Sequence, residues 1–174
     1  ELPSRQKTYF KKACDSEQDS ELRMVLIKML SHFHVPGMEE QINVLWDFGA
    51  YPEAISVICH SGGWAVKEAW WPRVLERMST LQGEAFQDAC SIFFILNDYP
   101  GIHAGLLKDQ LYRTDLNQND KSVLFHRLSE LNSREEVLDY FLDYLPDERN
   151  HERAEYMALI YAIWVIFSGQ STLT

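Results

Sequence analysis

The chain has 174 residues, 26 acids against 16 Lys and Arg, a net charge of −10, and is 46 % hydrophobic and 13 % aromatic. That length buries a core without disulfides or metal, and the aromatic share excludes a disordered chain. The charge disfavours nucleic-acid backbones and anionic lipid surfaces as general partners.

The apolar spacing predicts helix throughout, in about ten mostly short segments. The first runs from Ser4 or Arg5 to Ala13, on Tyr9 and Phe10. After the acidic DSEQDS, Asp19 or Ser20 caps a second helix to about Ser31, with Leu22, Val25, Leu26, Met29 and Leu30 on one broad face. Pro36 breaks it, because the residue before a proline avoids helical backbone. A third helix covers about 38–48, and Gly49 stops it. Pro52 and Glu53 suit the first turn of a fourth, which Gly62 and Gly63 end as a left-handed cap. In AVKEAWWPRVLERMSTL, Pro72 predicts a kink near Trp70 or a new helix start. The segment Glu84–Leu96 is apolar on most sides and reads as a central helix. Ile102–Tyr112 is the next helix, and Asn119 or Asp120 caps the one that runs to about Leu131. Ser133 with Glu136 has the spacing of a capping box for a helix to Leu145. The last helix starts near Asp147 or Arg149 and runs to about Phe167, with Gly169 as its stop.

The fold class is therefore all-α: a compact irregular bundle, read as a single domain over 1–174. Stacked helix pairs are the other arrangement this pattern allows. GAYPEAISVI, at 49–58, is similar to a run in the first helix of tetratricopeptide units, but the period of about 34 residues does not recur. A further alternative is two tandem helical modules, 1–82 and 83–174, each about the size of a death-fold domain. The most apolar run, Tyr156–Phe167, spans about 18 Å as a helix, short of a ~30 Å hydrocarbon core. It reads as a core helix, with no transmembrane segment and no signal-peptide pattern in the sequence.

Chemistry-bearing motifs are scarce. The three cysteines, Cys14, Cys59 and Cys90, form no CxxC pair, so a reducing, cytoplasmic setting is expected, with Cys59 and Cys90 as buried thiols and Cys14 exposed. No Cys/His set has zinc-finger spacing, and Glu148, His151, Glu152 and Glu155 read as the solvated start of a helix. No metal or cofactor is expected. GxSxG and phosphate-binding glycine loops are absent. In CHSGGW, Cys59 and His60 are consecutive, which on a helix keeps their side chains from acting on each other. Asp47 and Asp88 are the acids nearest apolar sequence.

Aromatic residues supply the remaining signal. Trp64, Trp70 and Trp71 flank a proline, and Tyr51 and Tyr99 sit near loop ends. Exposed aromatics framed by charge anchor protein interfaces. With the negative charge they point to a non-catalytic interaction module for a basic protein, as an inhibitor, immunity protein or regulatory adaptor is. The binding residues are then Trp64, Trp70, Trp71, Tyr51 and Tyr99. A helical enzyme or small-molecule binder is the alternative, its pocket closed by Trp64, Trp70 and Phe94 around Asp88 or His60. A tandem death-fold-like signalling module acting by self-assembly is the third reading.

Overall fold

The computed structural model describes residues 20–32, 37–146 and 152–170, with Arg5, Thr8, Lys12 and Ala13. The four isolated residues are helical; the rest of the expected first helix, its linker, Cys14, Asp19 and His151 lie outside the described residues. Among the described residues the fold is all-α, without strands. The α-helices are α1 (Ser20–His32), α2 (Ile42–Asp47), α3 (Tyr51–His60), α4 (Trp64–Arg77), α5 (Gly83–Ile95), α6 (Gln118–Ser129), α7 (Arg134–Tyr144) and α8 (Arg153–Gln170). None is long and apolar enough to cross a membrane. The chain divides into two compact units, Glu1–Val74 and Leu75–Thr174.

In the first unit, α3 packs against α1 and α2. Met24, Ile27 and Leu30 of α1 lie buried with Ile42 and Leu45 of α2 and Ala54, Ile55, Val57 and Ile58 of α3. A 3-10 turn, Glu39–Gln41, leads into α2, so the single helix expected over 38–48 is tightened at its start. Gly49, at φ +76°, makes the stop its position requires. Gly62 does something different from the left-handed cap anticipated for it, since its φ is not positive. A Cβ there would stand 2.8 Å from the Ile58 carbonyl oxygen and 2.9 Å from a Val66 methyl, so glycine is needed for close approach. The freed carbonyl of Gly62 accepts from the buried Lys67 ammonium. Pro72 stays inside α4, which continues through it from Trp64 to Arg77 with no new helix starting there.

In the second unit, α6 packs against α5, α7, α8 and the segment Ala104–Tyr112. Buried Leu124, Phe125 and Leu128 form its inner face. Phe125 meets Phe141 edge-on at 5.6 Å and Tyr144 at 5.9 Å. The expected central helix is α5: Ala85, Phe86, Ala89, Cys90, Ile92 and Phe93 are all buried along it. Cys59 and Cys90 are buried thiols outside any disulfide, as anticipated, and burial pushes the Cys90 thiol pKa up, holding it protonated.

Two polar devices replace the caps read from sequence. Asn117, rather than Asn119 or Asp120, caps α6 by accepting from the Asp120 amide at 2.9 Å. Asp120 is instead fully buried, accepting from the Gly83 amide at 2.9 Å and from Gln87 Nε2 at 2.8 Å, which ties α6 to the start of α5. Ser133 makes no cap hydrogen bond at the start of α7. Its supposed partner Glu136 turns outward from the cap, accepting from the Gly105 amide at 3.1 Å and from the Tyr140 hydroxyl. That bond pushes the Tyr140 pKa up to about 12. Glu136 thereby pins the start of Ala104–Tyr112, where the helix expected over about 102–112 takes the 3-10 form.

Arg113 gathers the turn before α5. Its guanidinium donates to the Met78 and Leu81 carbonyls at 2.7 and 2.8 Å and to Asp115 at 2.6 and 2.9 Å. Gln82 donates to the same carboxylate at 2.9 Å. These bonds hold the Asp115 pKa well below the ordinary carboxylate range, Arg113 first and Gln82 second. A depressed folded pKa contributes stability above the unfolded value of about 3.9, lost as pH falls below it. Asp115→Asn is therefore less stable than wild type at about pH 7. The gap narrows progressively as pH falls below about 4 towards the depressed folded value when unfolding is followed across pH, and a gap that does not narrow contradicts the pairing.

Candidate functional site

The five residues expected to bind a partner separate by burial and by unit. Trp71 is only 4 % exposed and belongs to the core of the first unit, so it is no anchor. Its place follows from helix geometry. Trp70 and Trp71 point about 100° apart on α4, and only one can face inward. Trp64, in the first turn of α4, is 45 % exposed. Tyr99 is 37 % exposed and lies in the second unit, after α5.

Tyr51 and Trp70 are brought together by a residue not chosen from sequence. Trp46, at the end of α2, sits edge-on to Tyr51 at 5.1 Å and tilted against Trp70 at 5.2 Å. The signal was present: the Gly49 stop folds α3 back, placing its first residue beside the last turn of α2. Arg73 then covers Trp70, its guanidinium carbon 4.8 Å from the ring centroid. Ring pairs of this kind contribute about 1 kcal/mol each, and a cation on a ring face a similar amount. Tyr51 and Trp70 are half-buried and spend ring surface on this internal stack.

The charge lies elsewhere. Residues 1–74 carry ten acids against eight Lys and Arg, and residues 75–174 carry sixteen against eight. The tryptophan stack is thus in a nearly balanced unit with a cation on it, and the excess acid is in the other. Much of that acid is inward or paired. Asp120 is buried under α5 and Asp115 is held by Arg113. Glu155 is 4 % exposed and accepts from Lys121 Nζ at 2.9 Å and from the Tyr144 hydroxyl at 2.5 Å. Of the acid that faces outward, three residues form a row on α7, while Glu76, Glu84, Asp109 and Glu152 are exposed elsewhere in the unit. Glu135, Asp139 and Asp143 are exposed at i, i+4 and i+8, with Leu142 exposed beside them at 45 %.

Neither family models, curated proteins nor solved structures give a match to this chain.

At the end of α3, Cys59 Sγ and a His60 ring nitrogen lie within 4.8 Å of each other. Cys59 is buried and His60 exposed. Asp88 is buried on α5, and Asp47 is exposed.

Sequence reasoning also read Tyr156–Phe167 as a core helix. In α8 only one side is covered: Leu159, Ala162 and Ile166 are fully buried. Met157, Tyr161, Trp164 and Phe167 are 51–60 % exposed and Ile160 is 38 % exposed. Helices α6 and α7 pack on the covered side.

Proposed function

We propose that the chain is a non-catalytic protein–protein interaction module that binds a basic protein, in the manner of an inhibitor, immunity protein or regulatory adaptor. The observation that carries this reading is the outward acidic row of α7, Glu135, Asp139 and Asp143. It stands in a unit with sixteen acids against eight Lys and Arg. Like charges at i and i+4 repel one another by a few tenths of a kcal/mol per pair. A row of three is therefore mildly unfavourable to its own helix, and a basic partner relieves it. The same field steers a basic partner inward, raising association rates by ~10–1,000-fold at low salt. Trp64, exposed in the first unit, and Tyr99, exposed in the second, keep ring surface for apolar contacts. The buried thiols Cys59 and Cys90, in no disulfide, suit a reducing, cytoplasmic setting.

The test is affinity capture from native lysate with wild type and with the triple variant Glu135→Lys, Asp139→Lys, Asp143→Lys. Each substitution is on an exposed side chain, so far-UV circular dichroism stays unchanged. The expected result is a basic protein retained by the wild type, released by rising salt and lost from the variant. Equal recovery by both proteins removes the acidic row from the account. Trp64→Ala serves as the anchor variant; Trp71→Ala is unsuitable because it opens the core.

A further inference from the structure

The outer face of α8 is independent of the acidic row and has a regular composition. Met157, Ile160, Trp164 and Phe167 follow one another at intervals of three, four and three residues, with Tyr161 alongside. That is the a/d spacing of two heptads, the seam by which one helix receives another. All five side chains are 38–60 % exposed, while the opposite side of α8 is buried. The rings of Tyr161 and Trp164 already lie against each other at 5.8 Å and 33°, which fixes part of the surface before any partner arrives. From Tyr156 to Gln170 the helix has no acid, Lys or Arg.

We propose that this face pairs with the same face of a second copy of the chain, as two α8 helices packed about a twofold axis. Three properties select that occupant. The first is charge: a chain of net charge −10 repels its own copies, and an uncharged seam is where two copies meet without opposing like charges. A basic protein finds no counter-charge on this helix face. An anionic lipid surface is repelled by the chain as a whole, and α8 has only Arg153 to offer it. The second is area. Aromatic side chains bury about 150–250 Å² each, so the half-exposed rings with Met157 and Ile160 offer on the order of 500 Å². Two such faces remove about 1,000 Å² from water, the lower limit for a specific interface. The third is pattern: a seam with large side chains at both a and d interdigitates with a copy of itself, as an isologous contact requires.

The experiment is sedimentation of the full chain over about 1–500 µM, a range that brackets the micromolar affinity of small interfaces. The wild type is expected to pass from monomer to dimer within this range. Trp164→Glu and Met157→Glu place charge on exposed seam positions and are expected to weaken dimerisation by roughly 100-fold or more, with unchanged circular dichroism. Phe48→Glu, at a position 65 % exposed in the first unit, is expected to leave the dimer intact. A wild type that stays monomeric throughout overturns the proposal. So does a dimer that both seam variants preserve, or one that Phe48→Glu dissolves and the seam variants do not. Loss of the acidic-row partner leaves this result unaffected, since no α7 side chain belongs to the seam.

Discussion

Phe125→Ala lowers the stability of the second unit by about 3–5 kcal/mol, the cost of removing a large buried aromatic side chain. Phe125 is 1 % exposed and sits on α6, the helix that α5, α7 and α8 all pack against. Its ring is held edge-on by Phe141 and tilted by Tyr144, so truncation forfeits two aromatic pairs as well as buried area. Both rings come from α7, and neither can fill the hole without moving that helix. Because two compact units need not unfold together, hydrogen exchange at α6 amides measures the effect more cleanly than a global melt. Phe125→Leu keeps most of the volume and is expected to cost roughly a third as much. A loss below about 1 kcal/mol for the alanine variant means that α6 is not the centre of the core.

Asp120→Ala is the second large effect, about 3 kcal/mol. The carboxylate is fully buried and bonds the Gly83 amide and Gln87 Nε2 at once. Deleting it leaves two part-buried donors of α5 without an acceptor, and unsatisfied groups cost about 1–3 kcal/mol each when buried. Asp120→Asn retains one oxygen and restores one of the two bonds, so it is expected to fall between wild type and alanine. Urea unfolding followed by the protection of α5 amides separates the three proteins. Equal stability of the alanine and wild-type chains contradicts the role assigned to Asp120.

The fold class and most helix positions were legible because apolar residues recur with helical period and because Gly49 stops a helix by its own backbone preference. Local rules failed where a tertiary partner competed for the same group. Ser133 and Glu136 have capping-box spacing, but Glu136 is drawn off by the Gly105 amide and the Tyr140 hydroxyl. Asp120 has the chemistry of a cap and is used to join two helices, so Asn117 caps instead. Gly62 serves sterically rather than conformationally, a distinction that depends on where Val66 sits.

The candidate site was less legible. Adjacent tryptophans reveal that one must turn inward but not which, and Trp71 is the one buried. A run as apolar as Tyr156–Phe167 has no polar stripe to mark its outer face, so periodicity could not show that Trp164 and Phe167 remain uncovered. Net charge, read over the whole chain, placed the acid beside the tryptophans. Counted by unit, the acid excess belongs to residues 75–174 and the tryptophan stack to residues 1–74.

A basic partner seated on α7 covers the amides of that helix, which hydrogen exchange of the full chain, alone and saturated with the captured partner, reads out. Amides of α7 are expected to gain protection at low salt and to lose the gain as salt rises, and the triple lysine variant is expected to show none. Protection confined to residues 20–74, or protection of α7 that persists in the triple variant, would contradict this placement of the partner.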